Sequence, residues 1–183
     1  MAVFIVLLRA IGPATHRVMS MAGWRQGVTA AGFARPETVI ATGNMIVEGS
    51  GSMGEVTRRM NEVVLSLGLG SNNVAVVRSP ATLRRLVKAN PFPEAAAEHG
   101  GRVAVYAFVK SRPDFGWVAE HEGPERLHVE ANHLIVDYSA QTSESLRLPG
   151  LIEKRSGMAT ARNWNTLRTL AEKATTREQE AAA

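Results

Sequence analysis

The sequence has no cysteine, and only 5% of its residues are aromatic. Without cysteine there is no disulfide framework, no thiol nucleophile and no cysteine-ligated metal, a composition that fits a reducing compartment and makes the cytoplasm the expected location. Apolar residues never continue for the roughly 20 positions that a bilayer-crossing helix requires, so no membrane partner is expected. The chain opens on Met1-Ala2-Val3-Phe4-Ile5-Val6-Leu7-Leu8-Arg9. No basic residue precedes this short apolar run and no small-residue cleavage site follows it, so it reads as a strand and not as a signal peptide.

Charge of one sign is also scarce. The formal net charge is +4 over 183 residues, too little to mark a nucleic-acid protein by itself. Its placement is uneven, because Arg9, Arg17, Arg25 and Arg35 all precede the first acid, Glu37. Chemical signatures are missing as well. His16, His99, His121, His128 and His133 stand at no chelating interval, so no metal is expected. Gly49-Ser50-Gly51-Ser52 lacks the lysine of a phosphate loop, and no G-x-S-x-G nucleophile elbow occurs. No carboxylates pair by spacing for acid–base work. No cofactor is implied.

What is present is an apolar content of 45%, enough for a sizeable core, with clear periodicity. Residues 3 to 9 read as a buried strand. Ser20 can cap a helix bearing Met21, Trp24, Val28 and Ala31, ended by Gly32. Val39–Ala41 and Met45–Val47 flank the turn Thr42-Gly43-Asn44, a hairpin pattern. Ser52 and Glu55 have capping-box spacing ahead of Val56, Met60, Val63, Val64 and Leu67, and Asn73–Val77 completes the order βαββαβ. A short helix from Ser79-Pro80 and the stop Asn90-Pro91-Phe92-Pro93 follow. The second half repeats the order: a strand over 102–110, a short helix over 113–120, a hairpin of 127–129 with 134–138, a helical turn at 151–156 and a strand at 159–161. Trp164, Leu167, Leu170, Ala171 and Ala174 then form a helical stripe, and the tail beyond Thr176 is expected to fray. The repeat shows in the order of elements and not in residue identity. The expected class is therefore α+β, with two ferredoxin-like βαββαβ halves in tandem and an extra C-terminal helix. The expected boundaries are 1–78 for the first half, 79–101 for a helical linker and 102–183 for the second half with that helix.

Three segments together resemble one bacterial family, catalogued as domain of unknown function 1697. They are Leu7-Leu8-Arg9, Ile40-Ala41-Thr42-Gly43-Asn44 and Thr160-Ala161-Arg162-Asn163-Trp164-Asn165-Thr166, with Asn90-Pro91-Phe92-Pro93 also similar. The resemblance covers roughly residues 1–174 and implies two ferredoxin-like halves; it implies no reaction. Relatives follow the first strand with a glycine-rich loop resembling R-G-I-N-V-G-G, where this chain has Arg9-Ala10-Ile11-Gly12-Pro13-Ala14-Thr15.

The expected ligand-binding residues are Arg9, Arg17, Thr42, Gly43, Asn44, Arg162, Asn163 and Trp164. Structural readings stand beside the functional ones: a turn for Thr42-Gly43-Asn44, a helix cap for Thr160 or Asn163, packing for Trp164, a tie between halves for Arg162 and solvated surface for the early arginines. Tyr106-Ala107-Phe108-Val109 partly matches the base-stacking pattern of RNA-recognition domains but reads better as core. The functional expectation is a non-catalytic binding module for an anionic ligand, RNA or a phosphorylated metabolite. The alternative is a small cofactor-free enzyme with its site between the halves. An exposed strand edge could also support oligomers.

Overall fold

The structure, a computed structural model, describes residues 1–40, 43–140 and 143–183. The opening apolar run forms β1 (Ala2–Leu8), followed by a single turn α1 (Pro13–His16), α2 (Met21–Ala30), β2 (Ala34–Thr38), β3 (Asn44–Gly49), α3 (Met53–Ser66) and β4 (Ala75–Arg78). The four strands pair antiparallel in the order β2-β3-β1-β4, the ferredoxin-like arrangement. Both helices start as their sequences dictate. Ser20 Oγ accepts from the Gly23 N–H at 2.9 Å, and Ser52 and Glu55 close a capping box. The stripes Trp24/Val28 and Val56/Met60/Val63/Val64 pack on Phe4, Val6 and Leu8 of β1. Val3, Ile5 and Leu7, which alternate with these, are buried too, so the apolar residues of both faces of β1 are out of water.

The chain continues through α4 (Pro80–Ala89) and α5 (Pro93–Glu98) into β5 (Val103–Phe108), β6 (Arg126–Glu130), β7 (His133–Asp137), α6 (Leu148–Ser156), β8 (Ala159–Asn163) and α7 (Trp164–Ala182). The second sheet has the order β6-β7-β5-β8, again antiparallel throughout. The fold is α+β, two ferredoxin-like halves with a C-terminal helix. Two compact units emerge, one of Met1–Leu83 with Thr169–Ala183 and the other of Arg84–Arg168.

Four expectations are corrected. The second strand lies at Ala34–Thr38, upstream of Val39–Ala41. No α-helix forms over 113–120, only a 3-10 turn at Val118–Glu120. Pro113 opens the segment and the Asp114 carboxylate accepts from the Gly116 N–H at 2.9 Å, a local bond that competes with helix. The tail does not fray at Thr176, because α7 runs to Ala182. Its anchor is ionic: Arg177 donates to Glu37 at 2.6 Å and lies 3.5 Å from Glu48, while Lys173 donates to Glu37 at 2.8 Å. An apolar stripe was the wrong signal for a segment held by charge.

The fourth concerns the repeat. Ile5 pairs with Ile46 and Arg78, and Val105 pairs with Ile135 and Arg162, so strand register aligns the halves residue by residue. Aligned this way, Ala75-Val76-Val77-Arg78-Ser79-Pro80-Ala81-Thr82-Leu83 and Ala159-Thr160-Ala161-Arg162-Asn163-Trp164-Asn165-Thr166-Leu167 share alanine, arginine, threonine and leucine at the same four places. Residue identity does repeat, across a segment too short and gapped to find without the register.

In the first unit the Phe33 ring lies over Gly49, where an added Cβ would come within 2.6 Å of it. Gly49→Ala is therefore expected to destabilise by about 1–3 kcal/mol through overpacking. Gly12→Ala, whose Cβ meets nothing within 4 Å at a φ of −153°, is the control and should leave the urea midpoint nearly unchanged.

Candidate functional site

Beyond the last residue of β1 the chain turns sharply. Leu8 N–H donates to the Gly43 carbonyl at 2.8 Å and Arg9 N–H to the Val74 carbonyl at 2.9 Å, so the strand end is clasped by the loops on either side. The Arg9 guanidinium donates to the Asn72 carbonyl at 3.2 Å, and Asn73 Nδ2 donates to the Ala10 carbonyl at 3.1 Å. Gly43, at a φ of 71°, sits so close to Ile11 that an added Cβ would approach it to 2.9 Å. Loops 9–12 and 70–73 and the single residue Gly43 thus meet at one end of the first sheet.

Ala10 in this cluster is left-handed at a φ of 59°, and so is the exposed Ile40, which follows β2, at 53°. For a β-branched side chain this conformation is an outlier, and such residues cost about 1–3 kcal/mol and persist where the surroundings hold them. Ala10 stands where the resembled family has glycine. Arg17 ends α1, exposed, and His16 beside it is exposed as well.

The other expected site residues have structural partners. Asn44 is 1% exposed, and its Nδ2 donates to the Val39 carbonyl at 3.1 Å, closing the hairpin from within. Thr42 lies outside the described residues. Asn163 caps α7, its Oδ1 accepting from the Thr166 N–H at 2.9 Å, and Trp164 is buried at 3%. Arg162 donates to Thr160 Oγ1 at 2.7 Å and to the Ala161 carbonyl at 2.9 Å; burial lowers its pKa to about 10. Arg78, its counterpart in the repeat, donates to the Val77 carbonyl at 2.9 Å and is likewise lowered to about 10 by burial. Arg9 and Gly43 therefore share one loop cluster in the first unit, whereas Arg162, Asn163 and Trp164 belong to the second.

The acid-free stretch is less basic in space than in sequence. Arg25 donates to Thr38 Oγ1 at 2.7 Å, and Arg35 pairs with Glu48 at 3.1 Å and Glu180 at 2.8 Å. The second unit holds a polar cluster that sequence reading missed. His121 Nε2 lies 3.0 Å from the nearly buried Glu125 Oε2, and the Tyr106 and Tyr138 hydroxyls share a hydrogen bond of 2.7 Å. Burial opposes ionisation of Glu125, yet hydrogen bonds from Ser145 and His121 outweigh it and hold its pKa below the usual range. The His121–Glu125 interval of four was visible in the sequence, but nothing there marked Glu125 as buried. Among the described residues no group of three or more His, Cys, Asp and Glu could hold a metal ion, and no helix is long and apolar enough to cross a membrane.

Two four-stranded antiparallel sheets of the ferredoxin-like strand order, in tandem along one chain, define the class of protein. The chain belongs to the family described as a protein of unknown function (DUF1697), which it matches over residues 1–134. It is also similar in structure to the conserved bacterial protein SP0830 from Streptococcus pneumoniae, with a TM-score of 0.72 at 16% identity over 96% of this chain and 99% of that one. At that identity the likeness shows the fold. No curated protein matches the sequence.

If the left-handed residues are strained, relieving them should stabilise the protein. Ala10→Gly and Ile40→Gly are each expected to add about 0.5–1 kcal/mol, the strain relieved less the added freedom of the unfolded chain. A lower urea midpoint for both variants would show that neither conformation is strained.

Proposed function

We propose that the protein is a non-catalytic binding module for a small anionic ligand of the phosphorylated-metabolite class, held at the loop cluster that follows β1. The observation that carries this reading is the clasped end of β1, where Gly43, Asn72 and Val74 hold Leu8 and Arg9, with the left-handed Ala10 next in the chain. Ile40, also left-handed, lies three residues before Gly43, and the exposed Arg17 follows Arg9 across one short turn of helix. Strained loop conformations held by their surroundings concentrate at ligand clamps, and guanidinium groups suit phosphate oxygens. Arg9 contributes direction, since its Nη1 is anchored on the Asn72 carbonyl, and Arg17 contributes an accessible charge.

RNA is the less favoured anionic partner. Base stacking in a ferredoxin-like fold uses aromatic side chains exposed on the sheet, whereas Tyr106 is 7% and Phe108 1% exposed and both belong to the core of the second unit. Nucleic acid would be left with phosphate contacts alone, and with half of the arginines before Glu37 engaged elsewhere in the first unit. The cysteine-free composition supports placing the protein in the cytoplasm.

Calorimetric titration with inorganic pyrophosphate, and anisotropy of labelled mixed-sequence RNA, test the reading at low and physiological salt. Pyrophosphate should bind saturably and weaken as salt rises. Arg9→Ala and Arg17→Ala should each reduce its affinity by about tenfold, the loss of roughly one charge-assisted contact. Unchanged pyrophosphate binding in both variants, or RNA binding that survives both, would remove this cluster from the function.

A further inference from the structure

The residue-by-residue register between the halves shows one core position treated in opposite ways. Phe4 corresponds to Ala104, Val6 to Tyr106 and Gly49 to Tyr138, because Val3 pairs with Glu48 as Val103 pairs with Asp137. Ala34 pairs with Glu48 as Arg126 pairs with Asp137, so Phe33 corresponds to Glu125. In the first unit Phe4 and Phe33 fill this place as apolar core, the Phe33 ring lying over Gly49. In the second unit the same place holds an alanine, two phenols and a carboxylate, and it opens into a recess of about 350 Å³ lined by Arg102, Ala104, Tyr106, Tyr138, Ser145 and Leu146. The volume lies within the range of small-molecule pockets.

Apolar packing would be the cheaper solution, as the first unit demonstrates. A buried carboxylate is costly unless paired, and departures of this kind mark functional sites more often than accidents of packing. The polar groups are also ordered. The Ser145 hydroxyl gives its proton to Glu125, so toward the recess the serine oxygen can only accept. The two phenols share one hydrogen bond, so one donates to the other and the acceptor keeps its own proton to give. Burial first, then Tyr106 and the charge of Glu125, push the Tyr138 phenol up, which keeps the pair protonated. One O–H donor and one oxygen acceptor thus face the same small space, with Leu146, 79% exposed, as an apolar wall.

We propose that this recess is a second binding site, separate from the loop cluster of the first unit, and that it takes a small neutral molecule with a carboxamide head. The amide carbonyl accepts from the phenol, and the amide N–H donates to Ser145. The apolar body of the ligand lies against Leu146. Two charges bear on the recess, the exposed Arg102 guanidinium of its lining and the Glu125 carboxylate beyond it, and Glu125 is the one that acts on the Tyr138 phenol. It therefore sets the selectivity at the head group, disfavouring a carboxylate of the same shape, which would also lack the hydrogen that Ser145 requires.

Two-dimensional amide NMR of the full chain, titrated with benzamide and with benzoate, decides the matter. Benzamide should shift resonances of the second unit saturably, and benzoate should bind at least about tenfold more weakly, the scale of one lost hydrogen bond joined by charge repulsion. Ala104→Phe restores the plug that Phe4 provides in the first unit and should abolish benzamide binding while the rest of the spectrum remains folded. Glu125→Gln should narrow the preference over benzoate. Equal or tighter binding of benzoate, an unchanged benzamide affinity in Ala104→Phe, or no saturable shift with benzamide would each overturn the proposal. None of these outcomes bears on pyrophosphate binding at Arg9 and Arg17.

Discussion

The rest of the structure depends on the central strands, β1 and β5, whose apolar side chains are buried on both faces. A strand with one polar face can leave that face in water, as most antiparallel sheets do. Here Phe4, Val6 and Leu8 point one way and Val3, Ile5 and Leu7 the other, all at 5% exposure or less. In β5, Tyr106 and Phe108 alternate with Val103, Val105 and Ala107, and these five are also buried. Ligand chemistry is thereby displaced from the sheet surface, where ferredoxin-like domains often bind, to strand ends and to gaps in the helical layer. Both candidate sites lie where that constraint sends them, one in the loops after β1 and one on the helix-facing side of β5.

The two halves solve the same packing problem with different helices. In the first unit α2 and α3 together cover the sheet, and Trp24, Val28, Met60 and Val64 complete the cover. In the second unit the segment equivalent to α2 is reduced to a 3-10 turn, and α6 contributes the helical face through Leu148 and Ile152. Phe115 and Trp117 compensate in part, the former edge-on to Phe108 with ring centroids 5.4 Å apart and the latter donating to Ser156 Oγ at 2.9 Å. The same unit carries the Tyr106–Tyr138 recess, and there polar groups replace the phenylalanines of the first unit.

Periodicity made much of this legible in advance. Helices with capping residues and a 3.6-residue stripe, above all the one opened by Ser52 and Glu55, stand where expected, as does the ferredoxin-like order. What local pattern could not convey was long-range pairing. The tail beyond Thr176 lacks an apolar face, so nothing near it announces that Arg177 meets Glu37 and Glu48, some 130 to 140 residues away in sequence. The same limitation made 9–35 look like a basic patch, although Glu180 and Glu48 come back to Arg35. Among the candidate site residues, sequence could not show that Asn44 and Asn163 make structural bonds and Trp164 is buried while Arg17 stays exposed, because a polar group that caps or closes a turn has the same letter as one left at the surface. Backbone conformation made the difference at Ala10 and Ile40, and no residue type encodes a left-handed alanine.

The internal repeat turns this ambiguity into an argument. A single chain offers no comparison by which a polar core residue can be judged, but two copies of one topology do. Where both copies agree, as at Arg78 and Arg162, the simplest account is architectural: each arginine bonds carbonyl oxygen on its own strand and each precedes a capped helix. Where they disagree, the cheaper copy measures what the other has given up. Phe33 and Glu125 occupy one place in the fold, and a phenylalanine there requires only a glycine opposite, whereas the glutamate requires His121 and Ser145 to hold it. Stability alone does not favour the second arrangement, so its explanation lies in what the recess beside it can receive.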